Sequence, residues 1–115
     1  MDYFTAKTFQ LPELKGISVK NIEEHLKLYA GYVKFANYIQ NKINELSSDA
    51  EKNAYEIAEL QRRFAFEHDG MRNHEIYFSQ FEGGPQALNP ESNLAKKISA
   101  EYGSFDAFLS RIKAV

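Results

Sequence analysis

From Val19 to Leu46 the apolar residues fall at Ile22, Leu26, Tyr29, Val33, Ala36, Ile39, Ile43 and Leu46, in steps of three and four. That spacing draws one stripe along an α-helix, whereas a half-buried strand would alternate every second residue. Ser18 stands where an N-cap belongs. At about 1.5 Å per residue the helix is about 40 Å long. Ser47-Ser48-Asp49 interrupts the stripe, and Ser48 with Glu51 matches a capping box. A second long helix is therefore expected from about Asp49 to Phe81, with Ile57, Leu60, Phe64, Met71, Phe78 and Phe81 inward. Two such helices joined by a break of two or three residues predict an antiparallel hairpin.

Residues 1–17 carry Pro12 and Gly16 and read as an extended entry segment. Gly83-Gly84-Pro85 ends the second helix. Asn89-Pro90 predicts the start of a third, because proline suits the first helical position. Gly103 is a good stop for it. Ser104 opens a fourth helix with Phe105, Phe108, Leu109 and Ile112 inward, and the sequence reaches Ala114-Val115 in mid-pattern. The expected class is all-α: an extended segment over 1–17, a long hairpin over 18–82, and over 83–115 a loop with two short helices that begin a truncated second domain.

Composition narrows the function. The 115 residues fit one small domain. Lys and Arg number 14 against 16 Asp and Glu, a net charge of −2. That is not the basic field that sequence-independent nucleic-acid binding requires. Cysteine is absent, which removes disulfide scaffolds, thiolate metal sites and cysteine nucleophiles together. No apolar run is long enough to span a membrane, and Met1 to Lys7 lacks the apolar core of a signal peptide. A soluble, cytoplasmic protein is the expectation.

The chemistry rests on three histidines, His25, His68 and His74. Isolated helical histidines more often serve packing than ligation, so position has to discriminate. With Met71 at the centre of the inner stripe and 100° per residue, His68 and His74 lie about 60° to opposite sides and do not share an ion. His25 near the start of the first helix and His74 near the end of the second belong to the same open end of an antiparallel hairpin, where they can form a two-imidazole half-site. Catalytic metal sites usually take three or more protein ligands, often with a carboxylate. Glu24, Glu67, Asp69 and Glu75 are the carboxylates near that end. A helical di-iron site is excluded, because the residues three before the histidines are Ile22, Ala65 and Met71 rather than glutamates. No phosphate loop, zincin motif or calcium loop is present. The hairpin is rich in Phe and Tyr, most of them expected in the core. Tyr32, seven residues after His25, shares its face and puts a hydroxyl within reach of solvent at a bound ion.

The ordered pieces Leu11-Pro12, Ile22-Glu23-Glu24-His25, Tyr32-Val33 with Asn37, Asn73-His74 with Tyr77-Phe78, Gly83-Gly84-Pro85 and Tyr102 to Phe108 resemble the N-terminal half of the iron/manganese superoxide dismutase family over residues 11–113. The resemblance implies a helical hairpin packed on an α/β domain with one Fe or Mn between them. It assigns two metal ligands to His25 and His74, and the substrate-entrance tyrosine to Tyr32. The other two ligands, an Asp and a His, come in the family from a later Asp-x-Trp-x-x-His stretch that these residues do not include. Gly70 matches a position that is Gly in many Mn-type members and Gln in Fe-type ones, a lean to Mn. Two positions depart from the family. The His-to-Tyr spacing is seven instead of eight, so a gap-free alignment puts Glu24 in the first ligand position. Leu28 replaces a histidine usual behind the ligands.

The resemblance therefore implies dismutation of superoxide by a complete protein, with the 115-residue chain inactive by itself. Its implied partners are the missing C-terminal domain or a second copy of the chain, in a homo-oligomer. The rival expectation is a non-catalytic helical interaction or oligomerisation module carrying vestigial histidines.

Overall fold

A computed structural model describes all residues from Met1 to Val115. Four α-helices and no strand make up the fold: α1 (Val19–Leu46), α2 (Ala54–Ser79), α3 (Asn93–Tyr102) and α4 (Phe105–Lys113), with a 3₁₀ turn at Ser47–Asp49 between the first two. The chain divides into two compact units, Met1–Gly84 and Pro85–Val115.

In the first unit α1 starts where Ser18 caps it, the serine side chain accepting from the Asn21 amide at 3.1 Å. The helices run antiparallel: His25 meets His74, Tyr32 meets Phe66 and Leu46 meets Asn53, so positions that rise along α1 fall along α2. Tyr29, Val33, Met71 and Phe78 form the buried core, and Phe4, Phe9, Leu11, Ile22 and Leu26 pack against it. The expected start of α2 is corrected from Asp49 to Ala54. The capping box does not form, because the Ser48 hydroxyl donates to the Glu45 carbonyl and the Asn53 amide donates to Leu46 O, closing a longer turn. Phe35, Tyr38 and Phe66, expected in the core with the other aromatics, are about half exposed, since they lie off the seam occupied by Tyr29, Val33 and Ala36.

The extended segment is held as a strap along the hairpin. The buried Asn37 side chain accepts from the Tyr3 and Phe4 amides at 2.8 and 2.9 Å and donates to Phe4 O at 2.8 Å. Those three bonds fix the orientation of its amide, since only its oxygen can accept and only its nitrogen can donate. Asn41 adds bonds to both backbone ends of Met1, and Asn44 bonds the Tyr3 hydroxyl. Phe4 and Phe9 are thereby pressed onto the core at ring distances of 6.1 Å from Phe64 and 5.2 Å from Phe78.

In the second unit α3 begins at Asn93 rather than at Pro90. Asn89 spends its side chain on the Glu91 amide in a tight turn, and Ser92 takes the capping role, accepting from the Ala95 amide at 3.1 Å. Gly103 ends α3 at φ 84°, a conformation that a β-carbon disfavours. Ser104 caps α4, and Phe108 packs on Tyr102 with ring centroids 5.0 Å apart.

Candidate metal centre

At the open end of the hairpin α1 delivers His25 and α2 delivers His74 to one spot. His25 Nδ1 and His74 Nε2 are 3.3 Å apart. The other ring nitrogen of His74 lies 2.7 Å from the Gly70 carbonyl, one turn earlier on α2. A carbonyl only accepts, so His74 carries a proton on Nδ1; in the neutral ring Nε2 then keeps its lone pair and His25 Nδ1–H is the donor between the rings. This is the orientation a metal-binding imidazole needs, with its far nitrogen tied to a backbone carbonyl.

Tyr32 stands on the other side of His74, ring centroids 5.3 Å apart, and its hydroxyl makes no hydrogen bond within the chain. The Tyr32 ring lies directly over Gly70. A β-carbon built there would sit 2.6 Å from two of its ring carbons. Gly70 therefore serves both residues, orienting the His74 ring through its carbonyl and admitting the Tyr32 ring through its lack of a side chain. Tyr77 closes the far side at 5.7 Å from His25, and with Asn73 and the two histidines it lines an open groove of about 360 Å³. His68 is not part of this cluster, since its ring packs between Phe4 and Phe64.

The two imidazoles suit a shared ion, because 3.3 Å lies within the span of two bonds of about 2.0–2.1 Å each. No third donor joins them: no group of three or more His, Asp or Glu converges anywhere in the chain. The carboxylates near the open end are engaged elsewhere. Glu24 pairs with Lys27 at 2.7 Å on the exposed face of α1, and the buried Glu67 pairs with Arg63 at 2.7 Å. Asp69 lies beside His68. The arrangement offers two ring nitrogens with a phenol beside them.

Glu75 is the polar residue whose role the sequence did not disclose. It is only 6% exposed and sits immediately after His74. Its Oε1 accepts from the Tyr29 hydroxyl at 3.1 Å and its Oε2 from Lys7 Nζ at 2.9 Å, with Arg72 also bonded to Oε2. Burial pushes its carboxyl upward, but the hydrogen bonds from Lys7 and Tyr29 and the charges of Lys7 and Arg72 outweigh it and hold the group below its ordinary value. Burial raises the Tyr29 phenol, which accepts from the Lys7 amide at 2.9 Å while donating to Glu75. The available sequence signal was a carboxylate on the inner stripe between Met71 and Phe78.

The fold is a helical hairpin whose open end pairs two imidazoles beside a tyrosine. Comparison with known proteins supplies the particular family. No family model matches the chain, and no solved structure does. The iron superoxide dismutases of Aquifex aeolicus (strain VF5) and Aquifex pyrophilus are each 36% identical to it over 106 residues, 88% of this chain and 49% of theirs. The mitochondrial manganese superoxide dismutase of Glossina morsitans morsitans is 30% identical over 104 residues, 89% of this chain and 46% of its own. The chain belongs to the iron/manganese superoxide dismutase family. It spans about half the length of the curated relatives it matches.

Proposed function

We propose that this chain is the hairpin portion of a superoxide dismutase, holding Fe or Mn through His25 and His74 with Tyr32 at the substrate entrance. The observation that carries the reading is the 3.3 Å approach of His25 Nδ1 to His74 Nε2, with His74 already in the ligating tautomer. A bound ion of this kind supplies the one-electron steps that turn two superoxide ions and two protons into dioxygen and hydrogen peroxide. The chain's own residues do the rest. His74 turns the Nε2 lone pair outward while Gly70 O accepts from its Nδ1–H, and His25 presents Nδ1 once that nitrogen's proton has shifted to Nε2 and the bond to His74 is given up. Tyr32, with a hydroxyl free of protein partners, donates a proton to a reduced oxygen species beside His74 and recovers it from water. Gly70, at a position that is Gly in many Mn-type members of the family it resembles, leans the site to Mn. The remaining donors lie in the half of a full-length relative that this chain does not span, so the 115-residue chain binds metal weakly and has little activity.

The test is Mn(II) and Fe(II) titration with a superoxide assay, on this chain and on a protein of its relatives' full length. The expected result is activity in the long form, abolished by His25→Ala or His74→Ala. Full activity and tight stoichiometric binding in the 115-residue chain would contradict the half-site. Unchanged activity of His25→Ala in the long form, with Glu24→Ala inactive, would move the first ligand to Glu24.

A further inference from the structure

Only two side-chain hydrogen bonds run directly between α1 and α2, and both lie at the open end: His25 to His74 and Tyr29 to Glu75. No ion pair joins the two helices, and the rest of their contact is apolar packing, which is non-directional. The second bond is the buried one. Tyr29 is one helical turn beyond His25 and is 3% exposed, and Glu75 directly follows His74. A third leg reaches them from the strap, where Lys7 donates its backbone amide to the Tyr29 hydroxyl and its ammonium to the Glu75 carboxylate. Every hydrogen bond made by the Tyr29 and Glu75 side chains is thus directed at one another, at Lys7 or at Arg72.

Building on the metal reading above, we propose that Tyr29, Glu75 and Lys7 form a latch that sets the rotation and register of α1 against α2 and so positions the His25 and His74 nitrogens. Tyr29 and Glu75 are positioning residues; neither enters the groove lined by His25, Asn73, His74 and Tyr77. The sensitivity is geometric. An imidazole nitrogen lies roughly 6 Å from its helix axis, so turning either helix by about 10° moves it by about 1 Å. Ligating groups need to be held to within about 0.5 Å. Packing alone tolerates such a turn, and a hydrogen bond buried one turn away does not. The strap accordingly serves the site although no strap residue lines the groove that the imidazoles face.

The test uses the 115-residue chain and Tyr29→Phe, Glu75→Ala and Glu75→Gln, with Ile39→Ala as a control for stability lost far from the open end. In the metal-free proteins, nuclear Overhauser cross-peaks between the His25 and His74 ring protons report the juxtaposition directly. Tyr29→Phe and Glu75→Ala are expected to weaken them at least twofold. Glu75→Gln, whose amide oxygen still accepts from the phenol, and Ile39→Ala retain them. Co(II) titration is expected to show about tenfold weaker binding for Tyr29→Phe and Glu75→Ala, in the range known for residues that orient metal ligands, and unchanged binding for Ile39→Ala. Cross-peaks of full intensity in both Tyr29→Phe and Glu75→Ala would overturn the latch, as would an equal loss in Ile39→Ala. If the unmodified chain binds no Co(II), the affinities are compared in a protein of its relatives' full length, where absence of binding would sink the metal reading while the cross-peaks still decide the latch.

Discussion

Replacing Gly70 by alanine puts a methyl group where the Tyr32 ring now lies, 2.6 Å from its Cδ1 and Cε1 and 2.8 Å from its Cζ. Carbon atoms pack at about 3.5–4.0 Å, so the ring has to retreat by about 1 Å. Its neighbours resist, with His74 5.3 Å away on one side and Phe66 6.1 Å away on the other. Overpacking of this kind costs about 1–3 kcal/mol, while alanine in a helix interior returns about 1 kcal/mol over glycine. Gly31 separates the two effects. It is also helical, but a β-carbon there meets nothing within 4 Å. Gly31→Ala should therefore stabilise the chain by about 1 kcal/mol. Gly70→Ala should fall about 1–3 kcal/mol below it. Urea unfolding of the three proteins gives the difference, and the Tyr32–His74 ring contact can be followed by NMR. A Gly70→Ala protein as stable as Gly31→Ala, with that contact unaltered, would refute the close packing of Tyr32 on α2.

Two further outcomes follow from the strap. Asn37→Ala strands the Tyr3 and Phe4 amides and the Phe4 carbonyl; with about 1–3 kcal/mol for each buried group left unpaired and partial access to water, a loss of about 2–3 kcal/mol is expected in urea, with faster amide exchange confined to residues 3–9. Glu75 has a lowered folded-state pKa, so its contribution is complete above the unfolded carboxyl value and is lost as pH falls toward the folded one. Between pH 5 and 2 the stability of Glu75→Gln should therefore fall less steeply than that of the unmodified chain, and parallel curves would exclude Glu75 as a source of the acid limb.

Which parts of this structure the sequence disclosed follows from the range of the forces involved. Both ends of α1 were legible because a serine cap and an unbroken stripe are local signals. The start of α2 was not. Ser48 and Glu51 carry the pattern of a capping box, but the Ser48 hydroxyl had a nearer acceptor in the Glu45 carbonyl, and Asn53 closed the turn instead. The meeting of His25 and His74 was legible in outline, since an antiparallel hairpin brings the start of one helix to the end of the other. The partners of Glu75 and Asn37 were hidden for the opposite reason. They bond to a segment without periodicity, across 68 and 34 residues of chain respectively, and no local pattern encodes such pairings.

Those separations bear on the order in which the molecule assembles. Residues 3–9 dock on surfaces that do not exist until α1 and α2 have closed on each other. Until Glu75 has been synthesised and has met Tyr29, Lys7 has no anchor for its ammonium group, and Phe4 and Phe9 stay exposed to water. The strap is thus made before the surfaces it binds and is seated after them, which makes its docking a sensitive late marker in refolding kinetics.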